Sequence, residues 1–66
     1  MERSKFYVER EGERWAAKND EKRVIRDFAT EEEAVACAKK HAFAFRPSEL
    51  IVSDKDGKVT DRETFD

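Results

Sequence analysis

The chain reads as a single small α+β domain spanning residues 1–66, with elements in the order β-β-β-α-β-β and one helix packed on an antiparallel sheet. Three observations carry this. Polar and apolar residues alternate in short runs in the first third and again near the end, the period of a half-buried strand. Between them lies one stretch with helical spacing of its apolar residues. A capping box opens that stretch: the Thr30 hydroxyl accepts from the free N–H of Glu33, whose carboxylate reaches back to the N–H of Thr30.

Lys5 to Arg10 places Phe6 and Val8 on one face and Lys5, Tyr7 and Glu9 on the other, which predicts the first strand. Glu11-Gly12-Glu13 turns the chain, and Arg14 to Lys18 returns with Trp15 and Ala17 matching Phe6 and Val8, so the two form a hairpin. Asn19-Asp20-Glu21-Lys22 reads as a second turn. Arg23 to Phe28 follows as a third antiparallel strand, whose in/out phase stays open because Val24 and Ile25 are neighbours.

The helix is expected from about Glu31 to Phe45. Glu31, Glu32 and Glu33 suit its positive N-terminal end, and Lys39, Lys40 and His41 its C-terminal end. Val35, Ala38, Ala42 and Phe45 fall on one buried stripe, flanked by Ala34 and Cys37. So many alanines imply a close approach of helix to sheet, with Trp15 and the phenylalanines supplying bulk from the other side. Pro47 ends the helix. Leu50 to Ser53 is a fourth, more buried strand, Asp54 to Lys58 is a hairpin turn around Asp56-Gly57, and Val59 to Phe65 is the fifth strand.

A chain of 66 residues has a small core and modest stability. Its charged fraction of 45% is compatible with folding because the net charge is only −2. The single cysteine, Cys37, excludes an internal disulfide, and within Ala-Cys-Ala it reads as a small apolar helix residue. No apolar run approaches the ~20 residues that span a bilayer, and Met-Glu-Arg-Ser-Lys lacks an apolar signal region, so a cytoplasmic location is expected.

Trp15-Ala16-Ala17-Lys18, Phe28-Ala29-Thr30-Glu31-Glu32-Glu33-Ala34, Glu49-Leu50-Ile51-Val52 and Asp56-Gly57-Lys58-Val59, in that order and spacing, resemble a small bacterial family, domain of unknown function 2188. The resemblance runs from about Phe6 to Phe65. It implies this fold and a bacterial or phage origin, and it brings no active site with it. The chain departs from the family pattern at Asn19-Asp20-Glu21-Lys22, where a glycine-containing turn is usual, and at the aromatic stretch Phe43 to Arg46.

No residue pattern points to catalysis or a cofactor. Asp54, Asp56 and Gly57 hint at a calcium loop, but Lys58, Val59 and Phe65 stand at the fifth, sixth and twelfth loop positions where an oxygen ligand, glycine and glutamate are needed. Cys37 and His41, four apart on a helix, could share a face, yet two ligands do not make a structural zinc site. So small a chain also has hardly room for a pocket, an oxyanion site and an orienting group around a nucleophile. The expectation is no enzyme, no metal, no cofactor and no small-molecule substrate.

Binding remains. In the first reading the chain is a protein-binding module, pairing with a regulatory partner or with itself through Phe43, Phe45 and Arg46. Two residues apart on a helix, the two phenylalanines cannot both turn into one stripe, so one is exposed, with Phe43 tucked near Pro47 as the opposing possibility. The alternative is weak nucleic-acid binding on the outer sheet face through Tyr7, Arg14, Lys18 and Arg26. Charge opposes it: eight basic residues face seven acidic ones through Phe28, and three face six from Pro47 onward.

Overall fold

In the computed structural model, which describes residues 3–66, the elements are β1 (Ser4–Glu11), β2 (Arg14–Lys18), β3 (Val24–Phe28), α1 (Glu31–Ala44), β4 (Ser48–Ser53) and β5 (Val59–Phe65). Met1 and Glu2, which open the charged N-terminal run, lie outside the described residues. The β-β-β-α-β-β order and the α+β class are as the sequence predicts. The sheet, however, is mixed. Its strand order is β3-β2-β1-β4-β5, with antiparallel pairing throughout except between the central strands β1 and β4, which run parallel. The helix is the crossover from β3 to β4, returning the chain so that β4 runs in the direction of β3 and hence of β1.

Leu50, Ile51 and Val52 are consecutive and all buried, the mark of a strand covered on both faces and flanked on both edges. Phe6 stands opposite Leu50, and Val8 stands between Ala17 and Val52. These residues meet Ala34, Ala38 and Ala42, all fully buried, which form the sheet-facing stripe of α1. A four-residue spacing keeps these three on one face of the helix, and their small side chains imply a close approach of helix to sheet. Trp15, Ile25, Phe28, Val35, Cys37 and Phe65 close the margins of this core.

Local chemistry fixes the ends. The Thr30 hydroxyl accepts from the Glu33 N–H at 3.2 Å, as expected of the cap, but the Glu33 carboxylate returns to the Thr30 hydroxyl, 3.1 Å away, rather than to the Thr30 N–H. The helix stops one residue short of the expected end, with Phe45 as its C-cap donating its N–H to the His41 carbonyl. The buried Ser48 hydroxyl donates to the Ala42 carbonyl at 2.5 Å, tying the start of β4 to the last helical turn. At the opposite end of the molecule, the Asp54 carboxylate accepts from the N–H groups of Asp56 and Lys58, so the turn itself engages the oxygen that a calcium loop would need.

Candidate functional site

The β2–β3 turn, the end of α1 and the start of β1 meet at one end of the domain. The turn lacks glycine and is held by Asn19. Its side-chain oxygen accepts from the N–H groups of Glu21 and Arg23, both at 3.0 Å, while Lys22 takes the left-handed φ of 61° that a glycine would otherwise adopt. A bulge follows: Ala17 pairs with Arg26 and Lys18 with Val24, leaving Ile25 without a partner in register. Ile25 therefore packs toward the helix, which settles the phase that two adjacent apolar residues leave ambiguous.

Between these elements lies a cleft of about 320 Å³. Phe6, Ile25 and Phe45 form its apolar floor, and Ser4, Asn19, Asp20, Glu21 and His41 its rim. Phe45 is anchored by its ring centroid 6.1 Å from that of Phe6, yet it remains 60% exposed. His41 lies 6.2 Å from Phe6, and its Nδ1 stands 3.0 Å from the Cys37 carbonyl and 3.8 Å from the Cys37 Sγ. The former distance is that of an Nδ1–H donating to the carbonyl. Phe43 emerges on the other flank of the helix end, 57% exposed, with the Arg46 guanidinium 4.1 Å above its ring.

Sequence reasoning places Phe43, Phe45 and Arg46 together, and the structure does gather them at one end, but in two units: Phe45 in the cleft and Phe43 under Arg46. Both phenylalanines are exposed, so neither is core, and the expectation that Phe45 joins the buried stripe is corrected: the stripe is Ala34, Ala38 and Ala42, and the helix ends before Phe45, its C-cap. What the sequence did not disclose is the cleft, because Phe6, Ile25, Asp20 and Glu21 come from three separate segments.

The outer sheet face is different in kind. Lys18, only 12% exposed along its side chain, is clasped by Glu9 at 2.9 Å and Glu11 at 2.5 Å. Lys22 joins Glu9 at 2.8 Å and covers the Tyr7 ring from 4.4 Å. Arg14 pairs with Asp27 at 3.3 Å. The hydrogen bonds from Lys22 and then Lys18 hold the Glu9 carboxyl below its ordinary 4.5, and those to Glu11 and then Glu9 raise the Lys18 ammonium above its ordinary 10.5. Arg26 is not on this face. Paired with core-facing Ala17 and two residues before Phe28, it lies on the helix side, where its guanidinium lies 5.5 Å from the Phe28 ring centroid, in a groove shared with Cys37 and Lys40.

A family model described as an uncharacterized protein conserved in bacteria (DUF2188) matches residues 6–65. The chain belongs to the DUF2188 family. The match covers all five strands but for the first two residues of β1 and all of the helix, so the Phe43–Arg46 pair and every cleft residue except Ser4 fall within the family's extent. Comparison with curated proteins and with solved structures gives no match. Among the described residues, no helix of the DUF2188 chain is long and apolar enough to cross a membrane.

Proposed function

We propose that this DUF2188 chain is a non-catalytic protein-binding module, and that it binds through the end of the domain carrying Phe43, Phe45 and the cleft. The observation that carries the reading is the exposure of two phenylalanines, 57% and 60%, at either flank of one helix terminus. A domain with so small a core gains stability from every aromatic it buries, and two left outside beside an apolar cleft are placed as anchors for a partner.

The outer face supports nucleic-acid binding less well. Its one aromatic ring is capped by Lys22, Lys18 and Arg14 are held by carboxylates, and Arg26 is on the opposite side. Phosphate binding releases counterions only where cations are free to pair. The two displaced ionisations, Glu9 and Lys18, belong to that surface network rather than to a pocket, which supports a non-catalytic role.

Selection of displayed random peptides against the untagged protein tests the reading. Peptides that bind the wild type and lose at least tenfold in affinity toward Phe45→Ser, while that variant keeps its unfolding free energy within about 1 kcal/mol, are the expected result. Peptides indifferent to the substitution, or tight binding of a random single-stranded oligonucleotide at low salt, would overturn it.

A further inference from the structure

We infer that the partner seated at this end is a second copy of the same chain, joined isologously with the Phe43–Arg46 pair of each copy in the cleft of the other. The inference rests on the protein-binding reading and adds the identity of the partner. It comes from complementarity within one surface. The cleft has an apolar floor of Phe6, Ile25 and Phe45 and two exposed carboxylates, Asp20 and Glu21, on its rim. Among the described residues, no lysine or arginine lies within 4.0 Å of either carboxylate, and no carboxylate lies as near to Arg46. An aromatic ring with a guanidinium stacked on it at 4.1 Å is the counterpart such a cleft requires: the ring fills the apolar floor while the guanidinium meets the acidic rim.

Cleft and pair flank the same helix terminus, because His41 and Phe45 lie on the β3 side of α1 while Phe43 follows Lys39, which reaches Glu63 of β5 at 3.6 Å. A twofold axis through the helix end therefore brings both contacts together at once, and the assembly closes at two copies. Pairing along the β5 edge of the sheet is the less suitable route. Antiparallel self-pairing of β5 centred on Arg62 sets Arg62 against Arg62 and Asp61 against Glu63, and centring it on Asp61 or Glu63 sets like carboxylates face to face.

Sedimentation and light scattering of the untagged protein over a hundredfold concentration range should show mass rising from the 7.7 kDa of one chain to double that value and stopping there. Arg46→Glu should be at least tenfold weaker in association, and so should the double variant Asp20→Arg with Glu21→Arg. Mixing the two should restore a heterodimer, because each then offers the charge the other lacks. A wild type that stays monomeric throughout, a mass that grows past two copies, or a mixture that fails to associate would overturn the dimer. Peptides that bind the cleft of a strictly monomeric protein would leave the binding reading standing, so the two failures are distinguishable.

Discussion

Replacing Ala38 by valine tests whether the helix lies on the sheet as closely as its alanine stripe implies. Ala38 is fully buried between Ala34 and Ala42, facing the Phe6, Val8, Leu50 and Val52 layer. If space remained there, two added carbons would stabilise the fold by ~1.6 kcal/mol, at ~0.8 per buried methylene, less ~0.5 for placing a β-branched residue in a helix. If the helix is in contact, those carbons must displace it, at a cost of ~1 to 3 kcal/mol. The two cases differ in sign. Contact is expected, and the loss is large for a domain whose total stability should be ~3 to 10 kcal/mol at ~0.05 to 0.15 per residue. Urea unfolding followed by Trp15 fluorescence should show the midpoint falling by ~1 to 3 M, taking a slope near ~1 kcal/mol per molar. Ala36→Val, on the exposed side of the same helix, supplies the propensity cost alone and should lose only ~0.5 kcal/mol. A valine at position 38 that raised or preserved the midpoint would refute the close approach.

Glu9 bears on acid stability: its carboxyl is held below the ordinary 4.5, so its contribution is complete above that pH and is lost as pH falls through the lowered value. Unfolding free energies measured from pH 6 down to pH 2 should therefore fall less steeply for Glu9→Gln, and an unchanged slope would show that the Lys18 and Lys22 contacts do no work in solution. Ser48→Ala removes a buried hydroxyl that donates to the Ala42 carbonyl and should cost ~1 to 3 kcal/mol in denaturant titration. Asn19→Ala takes away the acceptor that shapes the β2–β3 turn, and a loss of ~1 to 2 kcal/mol together with weaker peptide binding at the cleft is expected.

Much of the fold is legible in local patterns. Phe6 and Val8 alternate with charged and polar residues, Thr30 and Glu33 announce the helix, and Asp56-Gly57 announces the last hairpin. The parallel pairing of β1 with β4 is less visible, since it follows from two facts read jointly: a helix long enough to recross the sheet, and three consecutive apolar residues, Leu50 to Val52, that demand cover on both faces. The site was half legible. Spacing alone shows that Phe43 and Phe45 cannot share a stripe, but the exposure of both depends on the helix ending at Ala44, which Ser48 helps to enforce from outside the helix. Counting forward from Ile25 misplaces Arg26, because the bulge opposite Ala17 and Lys18 adds a residue to β3 that carries no mark in composition, whereas counting back from Phe28 puts it on the helix side. The second turn, without glycine, is built by an asparagine that organises two amides and a lysine that accepts a left-handed backbone.

The ends of the described chain also have a practical bearing. Arg3 is ion-paired with Asp66, Ser4 stands beside Ser48, and Ser48 stands beside Phe65, so both ends emerge next to one another. Ser4 itself borders the cleft. A purification tag or fluorescent protein fused to either end would hang over the surface proposed to bind, and could mask association or mimic it. The turns at Gly12 and Gly57 lie at the far end of the sheet, and with nothing within 4 Å of a side chain built at either glycine, the space around them is open. A dye on a cysteine introduced at the neighbouring Lys55, with Cys37 replaced by alanine, would report on assembly without standing in its way.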